Sequence, residues 1–326
     1  MTKILILRFS SIGDIVLTTP VVRCLKLQYP HAEIHYLTKP AFESILEHNP
    51  YLTQVHVLDK PLLKKVMELK QLGFDYIIDL HNNLRTRIIK NAMDVPAFSF
   101  DKLNTEKTQL VNFKLNTLPQ VHIVDRYLDT LKSFGVTNDG QGLDYFIPED
   151  VNLNDEVKQL TSKPYIAVAI GAQHSTKRLP TQKLIDLCKN INTHVILLGG
   201  KEDETTGNEI AKQSGSHVVN LSGKLSLHQS ALVVKLAQKV ITHDTGLMHI
   251  AAAFKKPIIS IWGNTVPEFG MMPYYGNYNI NQQLFEVNNL SCRPCSKIGF
   301  KACPKTHFNC MNLQDAVAIA AAANGL

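Results

Sequence analysis

Lys3-Ile4-Leu5-Ile6-Leu7-Arg8-Phe9-Ser10-Ser11-Ile12-Gly13-Asp14 is the stretch that decides the fold. The unbroken apolar run Ile4 to Leu7 reads as a strand buried inside a sheet, and a helical pattern follows from about Ile15 to Gln28. The small residues at the turn between them let a ligand come close to the backbone, and free N–H groups at a helix start favour anions. The turn has a single glycine instead of Gly-x-Gly-x-x-Gly, which weakens a dinucleotide reading. Asp14 also has a plain structural role open to it, because a carboxylate in the first turn stabilises a helix.

The same grammar repeats outward. Strands are expected at Ile34–Leu37, Val55–Leu58 and Tyr76–Leu80, with helical patterns at Phe42–Glu47 and Leu62–Leu72, and at Ile123–Phe134. Strands alternating with helices imply parallel strands joined by right-handed crossovers. Residues Thr137 to Asp155 are rich in Asn, Asp and Gly and form the best linker candidate. Alternation then restarts, with strands at Tyr165–Ile170, Val195–Leu198, Val218–Val219, Val240–Thr242 and Pro257–Ile261, a helix at Leu227–Gln238, and a last helix at about Leu313–Ala323. The fold class is therefore α/β, with two doubly wound parallel-sheet halves. Ligands of such sheets sit beyond the carboxyl ends of the strands, so the sequence places the site at a central cleft that two Rossmann-like domains would face.

Three strand ends carry polar chemistry. The loop Gly171 to Pro180 brings Lys177 and Arg178, which can meet nucleotide phosphates or simply form a solvated basic turn. His243-Asp244-Thr245-Gly246 opens an Ala-rich helix whose start can be capped by Asp or Thr, or can hold a diphosphate through its N–H groups. His249, one turn in, is a packing residue in most such settings, though its place near an anion site favours function. Asp79 to Arg85 ends the fourth strand, and Arg85, Arg87 and Lys90 can meet an acidic acceptor or face water. No Asp-x-Asp pair and no Gly-x-x-x-x-Gly-Lys-Ser/Thr loop is present in the sequence.

Cys24 and Cys188 stand singly in apolar helical patterns and read as core. Cys292 and Cys295, with Cys303, His307 and Cys310, can hold zinc or an iron–sulfur cluster, or can be thiols packed in a loop-rich segment, the reading preferred here. No metal and no cofactor is expected. Hydrophobic residues at 44% and charged residues at 19% of 326 exclude a disordered chain and suffice for two medium domains. The formal net charge of +6 fits an anionic substrate or an acidic lipid surface without requiring either. No apolar stretch reaches a membrane span, and the first eight residues are too short and too soon charged for a signal peptide, so a cytoplasmic protein is expected.

Taken together, Ile4 to Asp14 with Thr18-Thr19-Pro20, the Asp79–Arg85 segment, Lys177 with Pro180, Gly199-Gly200 with Glu202 and Asp203, Asp244-Thr245-Gly246 with His249, and the cysteine tail through Cys303-Pro304 and Cys310-Met311 resemble glycosyltransferase family 9, the lipopolysaccharide heptosyltransferases. The matches span most of the chain. The resemblance implies a GT-B fold, with residues 1–155 binding the acceptor and 156–326 the donor, the latter carrying the cysteine-rich segment 292–310 and the final helix. It implies an inverting, metal-independent transfer of heptose from ADP-heptose to a lipid A-Kdo type acceptor of the lipopolysaccharide inner core. The protein would then touch the inner face of the cytoplasmic membrane and no nucleic acid. By resemblance Asp14 is the general base. Lys177, Asp244, Thr245, Gly246 and His249 would hold the donor, with Glu202 or its neighbour Asp203 on the ribose. Ser11, Gly13 and Arg85 would hold the acceptor. Rival readings are a nucleotide-sugar epimerase of the same architecture, a transferase using another nucleotide sugar, and a non-catalytic binding protein.

Overall fold

In the computed structural model, which describes residues 1–325, Lys3–Leu7 forms β1 and the side chains of Ile4 to Leu7 are fully buried. β1 lies at the middle of a five-stranded parallel sheet of order β3-β2-β1-β4-β5, with β2 at Glu33–Thr38, β3 at Gln54–Val57, β4 at Tyr76–Asp79 and β5 at Ala97–Ser99. A central strand has no wet face, which is why its sequence shows no polar alternation. The single helix expected over Ile15–Gln28 is two, α1 (Ile12–Val16) and α2 (Thr19–Gln28). Pro20 is the cause: it has no N–H to give the Val16 carbonyl four residues back. The Thr18 and Thr19 hydroxyls turn back instead to Ile15 O and Val16 O, at 2.7 and 2.8 Å.

Two further helices, α3 (Leu62–Lys70) and α4 (Leu84–Met93), follow β3 and β4. They pack side by side on one face of the sheet, Val66 and Leu69 of α3 joining Ile89 and Met93 of α4 in one apolar cluster with Leu5, Leu7 and Ile77. α4 and β5 lie in a stretch the sequence left unassigned. Next come α5 (Asn104–Phe113) and α6 (Ile123–Leu128). Where a longer helix was expected, α6 stops after six residues and continues as a 3₁₀ turn to Phe134.

The chain forms two compact units, and the division is not a single cut near residue 155. The first unit is Met1–Lys102, Val121–Phe146 and Gly276–Tyr278; the second is Leu103–Gln120, Ile147–Tyr275 and the chain from Asn279. Leu103–Gln120 joins the second unit because Leu110 packs with Val266 and Phe269, and Lys114 Nζ donates to Pro294 O at 2.6 Å. The expected linker Thr137–Asp155 is half fixed structure. Arg23 on α2 pairs with Asp139 (2.7 Å) and Asp144 and donates to Gly142 O (2.8 Å), while Leu143 and Tyr145 are buried. Asn277 N donates to Gly140 O at 2.7 Å, which ties Gly276–Tyr278 to the first unit.

The second unit is a six-stranded parallel sheet of order β11-β10-β9-β6-β7-β8. After α7 (Asp155–Thr161) its chain order is β6 (Tyr165–Ala169), α8 (Thr181–Lys189), β7 (His194–Leu198), α9 (Glu204–Ser214), β8 (Val218–Asn220), α10 (Leu227–Leu236), β9 (Lys239–His243), α11 (Gly246–Ala253), β10 (Ile258–Trp262) and β11 (Gln282–Glu286). β11, unassigned in the sequence, extends the sheet past β10. The chain ends in α12 (Asn309–Asn312) and α13 (Ala316–Asn324). α13 stays with this unit, its Ala316, Ile319, Ala320 and Ala323 packed in the same core as Leu184, Leu187 and Ile259. Among the described residues no helix is long and apolar enough to cross a membrane.

Each sheet reverses direction once, between β1 and β4 in the first unit and between β6 and β9 in the second. Binding sites of doubly wound sheets lie beyond the strand ends at such reversals. The loops there are Arg8–Ser11 and Leu80–Asn83 in the first unit, and Ile170–Pro180 and Asp244–Thr245 in the second.

Candidate active site

In the first unit the chain leaves β1 at Arg8, and the buried Arg8 side chain organises the strand ends. Its guanidinium donates to Ser10 O (2.8 Å), Leu80 O (2.6 Å) and the Tyr127 hydroxyl (3.0 Å), and its last donor meets Asp14 Oδ1 at 2.7 Å. The other Asp14 oxygen accepts from Ser11 N (3.1 Å) and Ser11 Oγ (2.9 Å), closing the start of α1. Burial by itself would raise the Asp14 pKa, but Arg8 and the two Ser11 donors outweigh it and hold the carboxyl below the usual carboxylate range. Asp14 is thus both a helix-start carboxylate and the outward end of a buried ion pair. Gly13 is buried, and Leu17 N donates to its carbonyl at 2.9 Å.

The end of β4 brings His81 to the same group, a residue the sequence did not single out. Burial, then the charges of Arg8 and Lys102, push its pKa down to about 4, so the ring is neutral at physiological pH. It lies against Phe9 with ring centroids 4.9 Å apart. Asp79 is fully buried, accepts from His81 N (3.0 Å) and Asn82 N (2.7 Å), and pairs with Lys90 at 2.9 Å. Asp79 and Lys90 therefore shape the strand end. Arg85 is exposed on the first turn of α4, and among the described residues no hydrogen bond joins it to the Arg8–Asp14 group.

In the second unit the two loops meet through Lys177 and Asp244, whose Nζ and Oδ2 are 2.5 Å apart. Thr265, beyond β10, donates its hydroxyl to the same Asp244 oxygen at 3.0 Å. Sequence spacing gave no sign of Thr265; only the order of the strands puts β10 beside β9. Arg178, next to Lys177, is turned inward, donating to Ala172 O (2.7 Å) and pairing with Asp203 (2.9 Å). Asp203 is buried and also accepts from Gly200 N at 2.9 Å. Burial raises its pKa above the usual value despite these partners. Asp203 is thereby committed to the fold, while its neighbour Glu202 is exposed. His243 Nε2 accepts from Leu179 N at 2.9 Å, and burial pushes its pKa down to about 4, so it serves as a neutral clasp between the two loops.

Thr245 is the N-cap of α11, but no side chain closes this helix start. Gly246, its first residue, adds no side chain over the amide groups. His249 lies deeper, 2% exposed. The arrangement is a helix start whose amide groups are open to an anion, with an ammonium group anchored beside it on Asp244.

The late cysteines border this region. All six cysteines are free thiols. Arg293, between Cys292 and Cys295, donates to Gly263 O (2.6 Å) and Thr265 O (3.0 Å) and pairs with Glu286 at 2.6 Å, so the cysteine loop supports the Thr265 segment. Cys292 Sγ is 3.8 Å from His307 Nε2. Burial pushes the Cys310 thiol up to about 12. Among the described residues no three His, Cys, Asp or Glu side chains are gathered so as to hold a metal ion.

Comparison with known proteins bears on the whole chain. The family model for glycosyltransferase family 9 (heptosyltransferase) matches residues 63–304. Lipopolysaccharide heptosyltransferase 1 of Campylobacter coli is 28% identical over 289 residues, covering 81% of this chain and 84% of the relative. A glycosyl transferase family 9 structure from Veillonella parvula superposes with a TM-score of 0.78 at 21% identity, over 99% of this chain and 96% of the other. The E. coli ADP-heptose LPS heptosyltransferase II structure gives a TM-score of 0.66 at 20% identity, over 99% of each chain. The chain is a glycosyltransferase with the GT-B fold and belongs to family 9, the heptosyltransferase family.

Proposed function

We propose that this enzyme transfers heptose from ADP-heptose to the lipopolysaccharide inner core, with inversion at the sugar carbon and without a metal ion. The observation that carries the reading is the opposite polarity of the two ion pairs at the sheet reversals. In the first unit the cation is the more buried partner and the carboxylate the more reachable one, with side chains 9% and 21% exposed for Arg8 and Asp14. In the second the order reverses, 17% for Lys177 and 9% for Asp244. The first unit presents a base and the second presents a cation.

The chemistry follows from that polarity. An acceptor hydroxyl oxygen attacks C1 of the donor from the side opposite the diphosphate, the C1–O bond to the diphosphate breaks, ADP leaves, and Asp14 takes the hydroxyl proton. A weak base suffices, since the hydroxyl becomes strongly acidic only as its bond to C1 forms. Ser11, Gly13 and Arg85 hold the acceptor. Lys177 and the α11 start at Thr245 and Gly246 take the charge that develops on the diphosphate, the role a metal plays elsewhere. Asp244 and Thr265 fix Lys177 in place. Glu202, free where Asp203 is not, accepts from the ribose hydroxyls, and His249 backs the helix start. Relatives named as lipopolysaccharide heptosyltransferases support heptose as the transferred sugar and lipopolysaccharide as the acceptor class. The work is done on the cytoplasmic side, at the inner membrane face.

Purified protein given ADP-heptose and a lipid A-Kdo acceptor is expected to release ADP and add one heptose, seen by mass spectrometry. ADP-heptose consumed equally fast without acceptor, yielding an epimer, would reject the transfer reading. Inertness towards ADP-heptose with turnover of another nucleotide sugar would reject the donor.

A further inference from the structure

Lys177 and Arg178 are consecutive, yet they tie the loop after β6 to strands on opposite sides of it. In the sheet β6 lies between β9 and β7. Lys177 reaches the β9 end, where Asp244 holds its ammonium. Arg178 reaches the β7 end, where its Nη1 donates to Asp203 Oδ1 at 2.9 Å, while its Nε donates to Ala172 O at 2.7 Å within the loop. Asp203 is fixed by the turn that carries it: Oδ2 accepts from Gly200 N at 2.9 Å, and its own N donates to Gly200 O at 3.0 Å. Both carboxylate oxygens are thus used. The Asp203 side chain is 5% exposed and lies so close over the ends of β6 and β7 that a Cβ at Gly171 or Gly199 would collide with it. Glycine at both strand ends makes room for this one carboxylate. An exposed ion pair fixes little, whereas a pair with a buried carboxylate and further hydrogen bonds on each partner holds both backbones. The members of this pair are the chain neighbours of two residues assigned to different parts of the nucleotide, Lys177 at the diphosphate and Glu202 at the ribose.

We infer that the Arg178–Asp203 pair sets the spacing between the diphosphate-binding and ribose-binding residues of the donor site, and with it the preference for a nucleoside diphosphate whose ribose keeps both hydroxyls. The inference rests on the roles given to Lys177 and Glu202 under the proposed function. Arg178 and Asp203 are positioning residues: each acts through a gripping residue next to it in the chain. With the pair intact, Lys177 and Glu202 engage one ligand together. Without it, the loop after β6 can shift against the turn after β7, and a ligand held at its phosphates no longer brings its ribose to Glu202. A displacement of about 1 Å is enough to lose a well-placed contact.

The test is calorimetric binding of ADP and of 2′-deoxy-ADP, with no acceptor present. The native protein is expected to favour ADP about tenfold, the scale of one hydrogen bond to a charged group. Glu202→Gln should reduce that preference to about twofold. Arg178→Met combined with Asp203→Asn removes both charges at nearly constant size, strands no buried charge and keeps an oxygen for Gly200 N, so this double variant should melt close to the native protein. Its preference for ADP is expected to fall to about twofold although Glu202 is present, and adding Glu202→Gln should lower it no further. Arg178→Lys, which keeps a cation for Asp203, should recover part of the preference. In the double variant the donor KM should rise about tenfold while turnover at saturation stays within about threefold, because Lys177 still meets the leaving group. A folded double variant with the native preference would overturn the inference and leave the donor assignments standing, since the pair would then serve stability alone. Additive losses from the double variant and Glu202→Gln would overturn it as well. Equal binding of the two nucleotides by the native protein, or a preference that survives Glu202→Gln, would remove Glu202 from the ribose and the spacing role with it.

Discussion

The two units present the same device with its ends exchanged. Each has a charged pair where the sheet reverses, formed by one residue after the first strand of the unit and one from a neighbouring loop or helix. In the first unit Arg8 spends its donors on Ser10 O, Leu80 O, Tyr127 and Asp14, so it is a fixed internal scaffold. In the second unit Asp244 is the scaffold, holding Lys177 and receiving Thr265. An ion pair is often treated as one feature, yet its function depends on which partner is anchored. Anchoring the cation leaves a carboxylate to take a proton; anchoring the carboxylate leaves an ammonium to meet phosphate.

The sharpest way to break the comparison is Asp14→Asn. The amide keeps the shape and the Ser11 contacts but cannot take a proton, so turnover should fall by about 10²–10⁴-fold, the usual worth of a general base. ADP binding, measured by calorimetry, should be unchanged because the second unit is untouched. Turnover within a few-fold of native would remove Asp14 from the base role. The mirror experiment is Lys177→Ala. It should lower turnover by about 10²–10³-fold, the scale of losing one preorganised charge-stabilising group, and should also weaken ADP binding. Tight ADP binding in this variant would place the phosphates elsewhere.

Arg8→Met tests the scaffold. It strands Asp14 and empties three other acceptors, and should cost about 2–4 kcal/mol in urea unfolding. It also has a sign in pH. Arg8 holds the Asp14 carboxyl low, so activity should persist on the acid side until pH falls through that depressed value. Without Arg8 the carboxylate protonates sooner, and the acid limb of kcat/KM should move to higher pH. The His81 ring, pushed down to about 4, stays neutral throughout the physiological range and should add no limb there. An acid limb that stays put would mean another group controls it.

How much of this was open to sequence follows from which interactions are local. β1 and its turn were legible because four apolar residues and a helix pattern lie within one short stretch, and Asp14 because it sits at that turn. The break at Pro20 was legible in principle, since proline's missing N–H is a local fact, but the apolar pattern runs through it. α4 was missed because apolar Leu84 and Ile88 face outward while polar Thr86 is buried, which blurs the helical period. The assignment of Leu103–Gln120 to the second unit rests on Leu110 meeting Phe269 across some 160 residues, which no local pattern records. Thr265 belongs to the same class. So does the choice between Glu202 and Asp203: adjacent carboxylates look alike in sequence, and only Arg178 and Gly200 N commit one of them inward.

Thr265→Val is the next smaller test. It keeps the volume and removes one hydrogen bond to the Asp244 carboxylate, which should cost about 1.5–3 kcal/mol if the group stays dry and less if water replaces it. The donor KM should rise about three- to tenfold with little change in turnover at saturation, since Lys177 remains but is less well held. A fall in turnover at unchanged KM would mean that Thr265 acts on the transition state and not on placement.

The smallest expected effect belongs to Arg85→Ala, and it bears most directly on the acceptor. Arg85 is exposed and starts α4, so its removal should leave the melting temperature within a degree or two, as for most surface changes. An exposed cation meeting an anionic group is worth about 1 kcal/mol or less, so the acceptor KM should rise no more than about fivefold at low salt. The rise should shrink as salt is added, because exposed pairs are screened. The donor KM and ADP affinity should not move, since both depend on the cation in the second unit. An equal effect on donor and acceptor would show that the exposed cation of α4 serves the diphosphate as well, and the contrast between a proton-taking unit and a phosphate-holding unit would then fail at Arg85.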